Sequence, residues 1–254
     1  MNLYALTCGY VSSSFRGGER GAVRVPVPCY LIEHDQGLVL VDTGSHPGVR
    51  DDPHARLGWV ADLMHVELPA GEDIASRLDA IEVDPASLRY LVNTHLHFDH
   101  AGGNELIPAS VELVVQRREW LAGHDAEEIR ANAYNPADYD QPRAVREVDG
   151  EHDLFGDGAI VLLPTPGHTP GHQSLRLRLD GADLVICADA CYFADWMDSE
   201  EMPPYGFDKR QELESLRRLR GLRDAGAIML YGHDPAQWAN VPQAPEPVAV
   251  PALA

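Results

Sequence analysis

Lysine is almost missing from this chain: Lys209 stands alone among 20 basic residues, and those 20 face 40 acidic ones. The formal charge of −20 repels polyanions, so a nuclease or other nucleic-acid-binding role is disfavoured. Long apolar runs are missing too. Nothing approaches the roughly 18 residues a membrane-crossing helix needs, and no membrane association is expected. Met1-Asn2-Leu3-Tyr4-Ala5-Leu6 carries no basic region before its apolar residues and no clear cleavage site, so the cytoplasm is the expected compartment. The four cysteines, Cys8, Cys29, Cys187 and Cys191, form no C-x-x-C pair and read as buried thiols rather than disulfides. No G-x-S-x-G elbow is present, so there is no sign of a serine nucleophile on a strand-to-helix turn.

What remains is an ordinary globular composition, 44% hydrophobic and 24% charged over 254 residues, enough to bury a large core. No linker divides it, and residues 1–240 read as one domain. From Val241 onward proline recurs at every second or third position, which predicts a flexible tail over 241–254.

Short apolar runs broken by turn residues predict antiparallel strands over 2–6, 23–33 and 38–42, with His34-Asp35-Gln36-Gly37 as a hairpin turn. Residues 45–70 read as a long loop with an apolar face, and 71–81 as a helix placing Ile74, Leu78 and Ile81 on one side. Further strands are expected at 88–92, 112–116, 159–163, 174–179, 183–188 and 227–231. Helices are expected at 117–121 and 210–223, the latter with Leu213, Leu216, Leu219 and Leu222 in steps of three.

The strand at 88–92 runs into Thr94-His-Leu-His-Phe-Asp-His-Ala-Gly-Gly103, which holds His95, His97, Asp99 and His100 within six residues. Three imidazoles and a carboxylate are costly to bury unless each finds a partner, and a divalent metal supplies one to all of them. In an extended turn His95 and His97 point the same way, whereas Asp99 and His100 fall past the bend. One turn can thus offer two ligands to each of two adjacent ions. His168, Asp189 and His233 each follow an apolar run where a strand should stop, and strand ends collect binding residues because the scaffold holds them rigidly.

These segments resemble the metallo-β-lactamase superfamily, and within it the N-acyl-homoserine lactone lactonases. The resemblance runs through Val25-Pro-Val-Pro-Cys-Tyr-Leu-Ile, Val41-Asp-Thr-Gly, the histidine motif, Val115-Gln-Arg, Thr165-Pro-Gly-His-Thr-Pro-Gly-His-Gln-Ser-Leu, Ala188-Asp-Ala-Cys-Tyr, Tyr205-Gly-Phe-Asp and Tyr231-Gly-His-Asp. It implies an α/β fold, a four-layer αβ/βα sandwich of two mixed sheets face to face with helices outside. It implies two divalent metal ions, usually Zn2+, although the nitrogen and oxygen donors also admit Co2+, Mn2+ or Fe2+. His95, His97 and His168 would hold one ion, Asp99, His100 and His233 the other, with Asp189 bridging. Asp42 and His172 would orient these ligands by hydrogen bonds.

The chemistry implied is attack on a lactone ring carbonyl by hydroxide shared between the ions. Tyr192, three residues after Asp189, would contact the carbonyl, and Asp99 would return a proton to the departing alkoxide. Phe98, Trp59, Met64, Phe193, Trp196 and Phe207 are expected around the mouth, where an acyl chain can lie. The partner is then a small lactone, and the protein a monomer or homodimer. Three other readings stay open: a lactonase on another small lactone such as pyridoxolactone, a thioester or β-lactam hydrolase, and a metal-binding protein without turnover. A redox role is disfavoured, because redox members of the scaffold carry a carboxylate where His97 stands.

Overall fold

Alternate residues of the strand Val23–His34 enter two different cores, and this explains why its apolar run is nearly unbroken. Val25, Val27, Cys29 and Leu31 pack in one, Tyr30 and Ile32 in the other. A strand that buries both faces must lie inside a stack of layers. The computed structural model describes residues 1–14 and 22–249. In chain order its first half holds β1 (Asn2–Ser13), β2 (Val23–His34), β3 (Gly37–Val41), α1 (Pro53–Leu57), β4 (His65–Glu67), α2 (Ile74–Asp79), β5 (Leu88–Val92), α3 (Phe98–Ala101), β6 (Glu112–Gln116) and α4 (Arg117–Ala122). There follow α5 (Ala126–Ala131), β7 (Val145–Val148), β8 (His152–Asp153), β9 (Ile160–Pro164), β10 (Gln173–Leu179), β11 (Ala182–Ala188), α6 (Trp196–Ser199), α7 (Lys209–Asp224), β12 (Ile228–Tyr231) and α8 (Pro235–Trp238).

Seven strands form one sheet in the order β4-β1-β2-β3-β5-β6-β7, and five form the other, β12-β11-β10-β9-β8. Between the sheets, Val39, Val41, Tyr90 and Val92 meet Leu162, Leu175, Leu184, Ile186 and Leu230. Outside, Ile74 and Leu78 of α2 cover Leu6, Leu40 and Leu91, while Leu216 and Leu219 of α7 cover Val185 and Met229. Each such aliphatic side chain contributes about 1.5–3 kcal/mol by leaving water. The expected four-layer sandwich is therefore what forms. No described helix is long and apolar enough to cross a membrane.

Strand direction places the site. β3, β5 and β6 are parallel, as are β11 and β12, and β9 runs with them because β10 is antiparallel to both β9 and β11. The carboxyl ends of β3, β5, β9, β11 and β12 therefore collect at one edge of the two sheets, the usual place for ligands in such layered folds.

Several expectations need correction. The 45–70 loop is partly ordered structure, since it contains α1 and β4, and β4 pairs Tyr10 with Glu67 and Ser12 with His65. The α2 helix spans only 74–79, its start set by Asp73, whose side chain accepts from Ser76 N. Helix α5 and strand β7 were not read from the sequence, because neither is long enough to show a period. The stretch 241–248 is not a free tail. Gln243 bridges Ala5, Ala244 N donates to Ala5 O at 2.9 Å and Val248 N to Leu3 O at 2.7 Å. Pro242, Pro245 and Pro247 fall where no N–H is required, so they do not prevent this pairing. Residues 250–254 lie outside the described residues.

Candidate metal centre

The turn after β5 is built by hydrogen bonds to Asp42, the residue that follows β3. Asp42 adopts a left-handed φ of 59°, which its short side chain tolerates better than most. Its Oδ1 accepts from Thr94 N at 2.8 Å, and its Oδ2 from Thr94 Oγ1 at 2.7 Å and His100 Nδ1 at 2.8 Å. On the second sheet, Asp189 N donates to His172 Nε2 at 3.0 Å, and His172 Nδ1 meets Thr165 Oγ1 at 2.9 Å. Burial pushes the His172 pKa down to about 3, so the ring stays neutral and can accept that bond. Asp42 and His172 thus stand behind the inner residues, in hydrogen-bond contact with the turns that carry them. The loops bearing Asp189 and His233 touch where Gly232 lies: a Cβ there would meet Ala188 O at 2.3 Å.

His95, His97, His168 and Asp189 form one group and Asp99, His100 and His233 another, with ligand atoms in each within 4.8 Å of one another. The tautomers follow from the outer contacts. His97 Nε2 donates to Asn132 O at 2.8 Å, His100 Nδ1 to Asp42, and His233 Nδ1 to Pro26 O at 2.8 Å, while His95 Nδ1 meets Thr94 Oγ1 at 3.1 Å. Each of these four rings therefore turns its other nitrogen, a lone pair, inward. His95 Nε2 and His97 Nδ1 are 3.1 Å apart, and His168 Nε2 and His97 Nδ1 3.0 Å. Lone pairs brought so close repel unless a cation lies among them, which is the fit expected of a metal site.

Asp189 lies between the groups. Its Oδ2 is 3.1 Å from His168 Nε2 and 3.8 Å from His95 Nε2, and its Oδ1 is 3.1 Å from His100 Nε2 and 3.2 Å from His233 Nε2. His100 Nε2 and Asp189 Oδ1 are buried without a hydrogen bond, two polar atoms an ion would satisfy. Burial holds His95 and His97 well below the ordinary imidazole range, in the neutral form a ligand needs. Burial acts the same way on His100 and His233, but the carboxylates of Asp189 and Asp99 outweigh it and raise both. Burial opposes ionisation of Asp189, yet the surrounding imidazoles hold its carboxyl well below the usual range.

Above these groups opens a cavity of ≈ 790 Å³, solvent at its mouth included, walled by Trp59, Val60, Leu63, Met64, Phe98, Asn132, Tyr192 and Tyr205. Three of the expected mouth residues are elsewhere. Phe193 and Trp196 are buried behind Tyr192, and Trp196 stacks on it at 5.5 Å and 14°. They turn inward because α6 closes over the core beside α7. Phe207 points to the surface, its ring 5.4 Å from the Arg118 guanidinium.

Sequence reading missed Glu119. It is fully buried, and its carboxylate accepts from Leu96 N at 3.0 Å, Tyr134 Oη at 2.7 Å, Thr169 Oγ1 at 2.9 Å and Gly171 N at 2.7 Å. It thereby ties the His95–His97 turn to the His168 turn. Gly171 makes this possible, since a Cβ there would lie 2.1 Å from Glu119 N. Within Arg117-Arg-Glu-Trp nothing distinguishes it from a solvated helix acid. Glu119→Ala strands four donors and is expected to cost about 3–5 kcal/mol, lowering Tm by on the order of 10 °C in a thermal melt. A shift under about 3 °C would show that water replaces the carboxylate.

Residues 22–233 match the metallo-beta-lactamase superfamily. The N-acyl homoserine lactonase AttM of Azorhizobium caulinodans is 31% identical over 249 residues, covering 95% of this chain and 94% of that one. The N-acyl homoserine lactonase AiiA of Bacillus thuringiensis subsp. kurstaki is 31% identical over 228 residues, covering 88% and 87%. Among solved structures, an N-acyl homoserine lactone hydrolase with N-hexanoyl-L-homoserine at its catalytic metal centre superposes with a TM-score of 0.87 at 29% identity, covering 97% of this chain and 98% of that one.

Proposed function

This chain belongs to the metallo-beta-lactamase superfamily, and from that premise we propose that it hydrolyses the lactone ring of N-acyl-homoserine lactones, which would silence a bacterial signal. The observation that carries the reading is Asp189, whose two oxygens face two separate sets of inward lone pairs at the floor of an apolar-walled cavity. His95, His97 and His168 would hold one ion beside Oδ2, and Asp99, His100 and His233 the second beside Oδ1. Two divalent ions held there, zinc in this reading, would supply hydroxide at neutral pH and positive charge for the carbonyl oxygen. Tyr192 would donate its phenolic proton to that oxygen as charge develops. Burial, helped by the nearby Asp189 charge, raises its pKa well above the ordinary phenol value, so the proton is retained. As the ring C–O bond breaks, Asp99 on the cavity wall would take the proton brought in by the attacking hydroxide and pass it to the departing alkoxide, leaving the open N-acyl-homoserine as its carboxylate.

One chain supplies every ligand, so a monomer or a homodimer suffices. Four buried free thiols suit the cytoplasm. The test loads the protein with zinc, counts ions per chain, and follows hydrolysis of homoserine lactones with butanoyl to decanoyl chains beside other lactones, open esters, thioesters and β-lactams. A pair of ions with homoserine lactones opened fastest is the expected result; a pair of ions with none opened would overturn the reading.

Trp59, 58% exposed on the cavity wall, would in this reading cover the outer part of a long acyl chain. Trp59→Ala is expected to raise KM for a decanoyl substrate about tenfold and to leave that for a butanoyl one within about twofold. Equal changes for both lengths would remove Trp59 from the acyl site.

A further inference from the structure

The cavity holds a second tyrosine. Tyr205 lines it together with Tyr192, His168 and Asp189, and its ring stands 6.3 Å from that of His168, much as Tyr192 does at 5.8 Å. The Tyr205 hydroxyl oxygen is buried and completes no hydrogen bond of good geometry. The phenol of Tyr192 lies beside it, close enough for the two hydroxyls to interact. A buried hydroxyl that is incompletely hydrogen-bonded is costly, and on a cavity wall an arriving polar atom lowers the cost.

The loop that carries Tyr205 is held firmly. Lys209 Nζ donates to Tyr205 O and to Pro203 O at 2.5 Å, and pairs with the buried Glu212 Oε2 at 2.7 Å. Phe207 N donates to His168 O at 3.0 Å and Asp208 N to Gly167 O at 2.9 Å. The one lysine of the chain therefore braces the Tyr205 loop against Glu212 of α7, and the N–H groups of Phe207 and Asp208 fix that loop to the turn that carries His168.

We propose that Tyr205 is a second substrate-contacting hydroxyl, which donates alongside Tyr192 to the carbonyl oxygen undergoing attack. The proposal rests on the carbonyl-hydrolase reading above. It assigns both phenols to a single acceptor, and that acceptor can be altered chemically. Replacing the carbonyl oxygen of the substrate by sulfur leaves the bond to be broken in place but removes a strong hydrogen-bond acceptor.

The experiment compares zinc-loaded wild type and Tyr205→Phe on a homoserine lactone and its thionolactone analogue, with metal content measured for both proteins. On the oxygen substrate kcat is expected to fall about tenfold with KM within about twofold, and on the sulfur substrate kcat to change by less than about twofold. A residue that only supports the fold would lower both alike, so equal losses overturn the proposal, as does an undiminished kcat on the lactone. Should wild type prefer an open ester or thioester, the lactone assignment falls and the same oxygen-to-sulfur comparison on that substrate decides Tyr205. Hydrolysis of no carbonyl compound at all would overturn both.

Discussion

Replacing Asp189 by asparagine is expected to lower lactone hydrolysis by about four orders of magnitude or more, and to reduce bound metal from a pair of ions per chain to one or none. Its carboxylate is the group that both sets of imidazoles share, with Oδ2 at 3.1 Å from His168 Nε2 and Oδ1 at 3.1 Å from His100 Nε2. An amide of the same shape removes the negative charge and turns an N–H toward lone pairs that should face a cation. Without the ions, water keeps its own pKa of about 15.7 instead of about 7, so hydroxide at neutral pH falls by roughly eight powers of ten. Partial loss of metal is therefore enough to dominate every other effect. The fold should persist, because a near-isosteric neutral group replaces a buried charge. Ion counting and kcat/KM on the same preparation check this; a full pair of ions with less than a tenfold loss would sink the bridging scheme.

Tyr192→Phe is expected to reduce kcat by about a hundred- to a thousandfold, with KM, metal content and Tm close to those of wild type. The ring is held by packing, stacked on Trp196 at 5.5 Å and edge-on to His233 at 4.9 Å, and phenylalanine keeps those contacts. Only the hydroxyl is lost, so the cost should fall in the step where charge develops on the carbonyl oxygen. Steady-state kinetics with one good lactone separate the possibilities: a raised KM at constant kcat would make Tyr192 a binding contact and not a transition-state donor.

The residues legible in the sequence share one property, which is that their roles are local. His95 to His100 lie in one turn, and Asp189 and His233 each end an apolar run that a strand must terminate. The sandwich was legible through the resemblance and through strand-like runs whose periods were clear. What escaped depends on long-range contact. Glu119 is defined by partners at Leu96, Tyr134, Thr169 and Gly171, and Tyr205 by a loop that Lys209 braces and that Phe207 and Asp208 bind to the His168 turn. Phe193 and Trp196 were assigned to the mouth because an apolar residue after a ligand turn can lie over the cavity or under it, and composition carries no depth. The short elements α5 and β7 were missed because one and a half turns, or four residues, cannot establish a period.

The segment 241–248 has a consequence for solubility. Leu3 and Ala5 sit on the part of β1 that β4 does not reach, because β4 pairs only with residues 10–12. The C-terminal segment lends its N–H groups to this edge, donating to the carbonyls of Leu3 and Ala5, and buries Val241 and Val248. A bare sheet edge is a template on which a second chain can add a strand. The proline-rich composition suits a cover of this kind, since a strand poor in free N–H groups satisfies one neighbour and offers little to the next. Removing 241–248 would leave this edge open to edge-to-edge pairing, a tendency that the net charge of −20 opposes by repelling copies from one another.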